Sequence, residues 1–158
     1  MIPLEQLTLF ILASLVILVI PGPAVLYIIT RSISQGRAAG IASVAGVNLA
    51  AFTYTVAAAF GLTAILMTSV VAFNIVKYAG AAYLIYLGIK QIVSKTKLEQ
   101  TELKSDSLFR IFGQGYMVNL LNPKMVFFTF AFLPQFVDPS QGSTIVQILL
   151  LGGLFALM

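Results

Sequence analysis

Five long apolar runs, parted by short polar ones, organise the chain: residues 7–30, 40–66, 71–93, 111–137 and 143–158. The first is interrupted by Pro21-Gly22-Pro23, and the fourth is broken at Pro123 and ends near Pro134. Between the runs lie a polar turn at 31–37, a minimal turn at 67–69, one clearly hydrophilic stretch at 94–110 and a turn at 138–142. The first four runs reach the ~20 residues that a helix needs to cross a hydrocarbon core. Periodicity does not separate a buried strand from a buried helix, but length does; barrel strands would be ~10 residues of alternating polarity. The pattern therefore predicts an all-α, polytopic transmembrane helix bundle with about five spans. The fifth run supplies ~16 residues, or ~24 Å at 1.5 Å per residue. No charged or aromatic anchor closes it, so it is expected to be an incomplete span of a fragment.

Composition agrees. Hydrophobic residues make up 59% of the 158 and charged residues 9%, and the mean hydropathy is +1.01. Soluble domains carry roughly a quarter charged residues, so lipid must supply the missing solvent. The net charge is +4, but the basic residues cluster between apolar spans rather than forming a basic face, which argues against nucleic acid. Cys and His are both absent, which excludes disulfides, thiol redox chemistry and the usual zinc ligand sets. The first segment lacks a basic n-region, and its apolar run exceeds the usual h-region, so it reads as a retained span rather than a cleavable leader.

The loops set an expected orientation. Arg31 and Arg37 lie in the first; Lys95, Lys97, Lys104 and Arg110 lie in the third, with Lys90 at its edge; the N-terminal tail and the second and fourth loops hold no Lys or Arg. Two helices separate loops one and three, which places both on one side. The positive-inside rule makes that side cytoplasmic and the N-terminus external, with residues 31–39 and 94–110 as cytoplasmic loops of the inner membrane.

The two broken spans carry the chemistry. Pro21 and Pro23 bracket Gly22 well inside the first run, so carbonyls there lose their helical partners. The fourth run has a matching interruption, Asn119-Leu120-Leu121-Asn122-Pro123-Lys124. At membrane depth such breaks survive where protein or a wet cavity re-satisfies the freed groups. One proline merely kinks a membrane helix; two breaks at corresponding positions of two halves point to a transporter binding site. Spans one to three and four to six would then be inverted repeats. Other polar groups sit within spans. Lys124 is expected to face a cavity, Lys77 to snorkel to the outer interface, and Asn48, followed by Thr53 and Tyr54, is either a site residue or interhelical glue. Small residues at Gly36 and Gly40, at Ala42, Gly46 and Ala50, and at Gly80-Ala81-Ala82 suit close packing. Tyr83 is a candidate cavity residue, and Tyr86 is equally a packing one. No enzyme constellation appears: Ser has no His partner, no phosphate-binding glycine loop is present, and no carboxylate lies inside a span.

Three stretches resemble the LysE/RhtB family of amino-acid exporters: Pro21-Gly22-Pro23; Lys77-Tyr78-Ala79-Gly80-Ala81-Ala82-Tyr83-Leu84-Ile85-Tyr86-Leu87-Gly88; and Gly115 through Asn119-Leu120-Leu121-Asn122-Pro123-Lys124 to Phe132-Leu133-Pro134-Gln135-Phe136. The resemblance covers the whole chain in order, although the family usually has about six hydrophobic segments and this chain ends in its fifth. It implies one transmembrane transporter domain over residues 1–158, exporting amino acids or related metabolites with the proton gradient, without a cofactor. The substrate-binding residues expected are Pro21, Gly22, Pro23, Asn48, Tyr83, Asn122, Pro123 and Lys124. Backbone N–H groups after Pro21–Pro23 and Pro123 would receive a substrate carboxylate, assisted by Lys124, while Asn48, Asn122 and exposed carbonyls would receive the ammonium. Expected partners are a small amino-acid substrate and the lipid bilayer, with homo-oligomerisation open and no nucleic acid. Rival readings are efflux of cations or other solutes, disfavoured because the spans lack carboxylates and soft ligands, and a non-transporting assembly subunit. A thiol-electron carrier is excluded by the absence of Cys.

Overall fold

The structure, a computed structural model, describes residues 2–69 and 105–158, and between them residues 71, 72, 74, 75, 78, 82, 86 and 89. Among the described residues all regular structure is helical. Helix α1 (Leu4–Val19) stops because two prolines follow. A residue that precedes proline is pushed out of the helical region, and both such residues here are extended: Ile20 at φ −70°, ψ 112° and Gly22 at φ −106°, ψ 178°. Pro23 then opens helix α2 (Pro23–Thr68), where its missing N–H costs nothing.

Residues 31–37, expected as a polar turn, are helical on both sides of a single kink at Gly36 (φ 80°, ψ −173°), a conformation glycine adopts without steric cost. The expected loop at 31–39 is thus corrected to a kinked helix. The helix survives its polar composition because the polar atoms are used. Ser32 Oγ donates to the Ile28 carbonyl at 2.7 Å, and Arg31 bonds across to a later helix, as described below.

Helix α3 (Leu108–Leu120) is capped by Ser107, whose side chain accepts from the Arg110 amide at 3.4 Å. A break follows, and α4 (Pro123–Phe127) leads into a π-helical turn (Phe128–Phe132) and a 3-10 turn (Leu133–Phe136). Pro134 explains the widening, since it cannot donate to Phe130 and its ring would collide with that carbonyl. The two halves of this broken segment meet at 55°. A 3-10 turn (Pro139–Gln141) and helix α5 (Thr144–Leu157) complete the described chain.

Helix α2 is the axis on which α3 and α5 pack. Its crossing with α3 is close enough that a side chain at Gly46 would collide with the Phe112 carbonyl and the Tyr116 amide. Gly115 on α3 faces the Ser43 carbonyl in the same way. The small positions at Gly46 and Ala50 are buried there, as close packing of membrane helices requires. At the far end an aromatic cluster joins α1, α2, the π turn and α5: Phe10, Leu62, Phe128, Phe132, Leu151 and Phe155. The Phe128 and Phe155 rings stack with centroids 3.6 Å apart, and Phe10 meets Phe136 edge-on at 5.3 Å.

The surface inverts the soluble arrangement. Leu9, Val16, Ile33, Ile41, Phe52, Phe60, Phe109 and Leu150 point outward, while Ser14, Arg31, Ser43, Asn119, Asn122 and Thr129 are buried. These polar groups are buried between helices beside the aromatic core, and an apolar exterior around them is stable where lipid is the solvent. Pro23–Ile65 is long and apolar enough to cross a membrane, and the bent pair from Leu108 to Phe136 is so if counted as one span. Helices α1 and α5, at 16 and 14 residues, fall short. Lys77, Gly80, Ala81 and Tyr83 lie outside the described residues; Ala82 and Tyr86 are exposed.

Candidate functional site

The two helix breaks, about a hundred residues apart in sequence, meet. Continued as a helix, Ile20 would offer its carbonyl to the amide of Ala24. The prolines end that, and Lys124 Nζ donates to it instead at 2.7 Å. The lysine's aliphatic stem crosses Gly22, where a side chain would lie 3.5 Å from Lys124 Cδ and 3.9 Å from Asn122 Nδ2. Glycine there lets the second break lie against the first.

The second break is satisfied differently. Asn122 Oδ1 accepts from the Lys124 amide at 3.1 Å, which caps α4 and takes the N–H that the Leu120 carbonyl would otherwise receive. Tyr54 Oη, from the middle of α2, donates to that Leu120 carbonyl. Asn122 Nδ2 donates to Asn119 Oδ1 at 3.3 Å, and Asn119 Nδ2 donates to the Val47 carbonyl at 2.8 Å. Both asparagines are buried, at 2% and 3% exposure. The Ile20 and Leu120 carbonyls thus each meet a side chain from another element, which is the condition for irregular backbone at membrane depth.

Of the residues expected in the site, Pro21, Gly22, Pro23, Asn122, Pro123 and Lys124 converge on this junction. Asn48 does not: it is exposed and faces an apolar hollow with Ala45, Leu49, Phe52 and Phe112. Tyr83 lies outside the described residues. Sequence reasoning missed Asn119, Tyr54 and the Ile20 carbonyl as working parts. Asn119 had a readable signal, since positions three apart share a helical face and Asn122 was already a candidate. The expected carboxylate cradle at Pro123 is altered too, because the first amide of α4 is taken by the cap. Among the described residues no side chain caps the α2 start at Gly22.

A second polar cluster ties α2 to α3 at the other end of their crossing. Arg31 is 3% exposed. Its guanidinium donates to Asp106 Oδ2 at 2.7 Å, Gln114 Oε1 at 2.7 Å and Gln35 Oε1 at 2.6 Å. Tyr27 Oη donates to Gln114 Oε1 at 3.1 Å and to the Ile111 carbonyl at 2.9 Å. Arg110 bonds Asp106 Oδ1 at 3.0 Å from the exposed side. Hydrogen bonds from Arg110 and then Arg31 hold the Asp106 carboxyl below its ordinary range. Composition and charge position alone read Arg31 as a solvated loop cation. Among the described residues no group of three or more His, Cys, Asp or Glu is placed to hold a metal.

The comparisons with known proteins bear on what such a junction serves. Residues 15–157 match the family model described as LysE type translocator. Two proteins described as homoserine/homoserine lactone efflux protein, from Salmonella typhimurium and Salmonella typhi, are each 36% identical over 144 residues, covering 90% of this chain and 69% of theirs. The uncharacterized membrane protein YrhP of Bacillus subtilis is 28% identical over 165 residues, covering 98% of this chain and 78% of its own. No solved structure matches the chain. The chain belongs to the LysE type translocator family, whose members are integral membrane transporters and not enzymes.

Proposed function

We infer that this protein is an inner-membrane secondary transporter that exports amino acids or closely related small metabolites from the cytoplasm, coupled to the proton gradient. The observation that carries the reading is the meeting of two proline-broken helices, with Lys124, Asn119 and Asn122 between them. Substrate sites of secondary transporters form where such discontinuous helices face each other. Pro21, Gly22 and Pro23 supply the freed carbonyl and the uncapped helix start. Pro123 and Asn122 shape the opposing wall, and Lys124 brings the charge. Asn48 and Tyr83 remain outside this set. The relatives named as homoserine/homoserine lactone efflux proteins support small amine-bearing substrates.

The kinked helical stretch at 31–39 and the stretch 94–110 are assigned to the cytoplasm and the N-terminus to the outside. The Arg31–Asp106 bridge supports this, because it draws residues of both basic stretches to one place. Five spans of an inverted six-span plan follow from the apolar runs and the paired breaks. Among the described residues no carboxylate lies at the junction, and the proposed proton coupling uses no buried acid relay among them.

The test is export from cells overloaded with single amino acids by dipeptide feeding, with the protein and its Asn122→Ala variant at equal membrane abundance. Selective appearance of one or a few amino acids outside, lost in the variant, is the expected result. An unchanged profile across the panel with the protein present would sink the reading.

A further inference from the structure

We propose that Lys124 is a tethered stand-in for the substrate's amine, and that displacing it is how the protein recognises an α-amino acid. The proposal rests on the efflux reading above and deepens it. In this structure the Lys124 ammonium occupies the Ile20 carbonyl, a backbone acceptor created by the first break. A primary ammonium is the group that the carbonyl accepts, and an α-ammonium on a small substrate is the same donor without the tether.

The charge balance at Lys124 decides what else the substrate must carry. Among the described residues no carboxylate lies within ion-pairing distance of Lys124, and its ammonium donates to a neutral carbonyl. A half-buried cation without a counter-anion is costly in a low-dielectric setting. A zwitterionic amino acid resolves this in one exchange. Its ammonium takes the Ile20 carbonyl, Lys124 is released by a rotation of its flexible stem over Gly22, and the freed Lys124 pairs with the substrate carboxylate. The number of ammonium-to-carbonyl bonds is unchanged, a charge pair is gained, and the junction's net charge stays the same. An amine lacking a carboxylate, such as a lactone, would bring a second positive charge beside Lys124 with nothing to compensate either. Lys124 thereby sets the preference for the free acid, and the Ile20 carbonyl sets the requirement for the amine.

Asn119 and Asn122 position this exchange rather than take part in it. Asn122 holds the Lys124 amide, and Asn119 anchors Asn122 to α2. The backbone carrying Lys124 is therefore fixed while its side chain is free to swing.

The experiment uses the full chain in proteoliposomes and compares initial transport of homoserine and homoserine lactone by the unaltered protein, Lys124→Met and Lys124→Arg. A charge-assisted pair implies a change of roughly tenfold or more when it is lost. Lys124→Met should lower kcat/KM for homoserine relative to the lactone by about that factor, and Lys124→Arg should keep the acid preference. An equal loss for both substrates, or for neither, overturns the proposal. A second measurement needs no variant: the lactone and N-acetylhomoserine should each compete with homoserine roughly tenfold more weakly than homoserine itself, since each lacks one end. Competition by N-acetylhomoserine as strong as that of homoserine overturns the amine seat. If the unaltered protein moves neither probe, the proposed exchange falls, while the efflux reading is decided separately by the dipeptide-fed export panel.

Discussion

Arg31 and Lys124 are two cations drawn between helices, Arg31 where α2 crosses α3 and Lys124 where the two breaks meet, and they are solved in opposite ways. Arg31 meets a fixed carboxylate, two glutamine oxygens and the face of Tyr27, 5.7 Å from its guanidinium carbon. Its charge is compensated within the protein. Lys124 meets a single carbonyl that a helix break has released. Its charge is stabilised by a dipole but balanced by no anion among the described residues. A buried ion pair with its bonds filled is a structural tie, costly to break and with no capacity for a ligand. A cation held by a carbonyl keeps its affinity for an anion. The contrast separates scaffold from site within one small helical bundle.

The comparison can be broken from the Arg31 side first, where the largest effect is expected. Arg31→Met removes the charge that Asp106, Gln114 and Gln35 all face, leaving polar groups without their partner. Thermal unfolding followed by size-exclusion in detergent should show a Tm lower by roughly 10 °C, with transport lost alongside. A melting point unchanged to within a degree or two would mean that the bridge is not a tie.

Both clusters hang on the close approach of α2 and α3. Gly46→Ala introduces a methyl against the Phe112 carbonyl and the Tyr116 amide. The overpacking is expected to cost about 1–3 kcal/mol, read in the same assay, and to weaken both cations' contacts together. A neutral result would show that the crossing relaxes without consequence.

Acidification sharpens the comparison on the Arg31 side alone. The folded Asp106 carboxyl lies below its ordinary value of 3.8, so its bridge contributes stability that is complete above that value. The contribution is lost as pH falls from about 4 through the folded value. Unfolding of the parent protein should therefore show an extra loss of stability below about pH 4 that Asp106→Asn lacks. Parallel pH curves for the two proteins would contradict the assignment.

The smallest expected effect on stability is at Lys124. Lys124→Met removes an uncompensated charge and keeps an unbranched stem, so Tm should stay within a few degrees or rise, while transport of the free acid falls. A destabilisation as large as that of Arg31→Met would erase the distinction between tie and site.

Much of this architecture is readable along the chain, and particular residues show where that ends. Apolar run lengths and the scarcity of charge establish a membrane helix protein, because burial in lipid is a property of composition and of length at 1.5 Å per residue. The breaks at Pro21–Pro23 and Asn122–Pro123 are equally local. Proline removes its own N–H and biases the residue before it wherever the chain is placed. The importance of Asn122, Pro123 and Lys124 follows from these facts and from the rarity of such groups at membrane depth.

Other features belong to the packing. Nothing near residue 31 reveals that Arg31 will be buried, since a cation in a polar stretch is equally stable in water. Its burial depends on Asp106 and Gln114, more than seventy residues away. That same pairing keeps residues 31–35 helical where local polarity predicts a turn. Asn48 shows the converse, since an asparagine in an apolar run looks functional until the helix's rotation places it on the outer face. The Lys124-to-Ile20 bond is the furthest from any local pattern, because its donor and acceptor are 104 residues apart. Local sequence dictates which carbonyls lose their helical partners; which side chain arrives to replace them depends on how the helices pack.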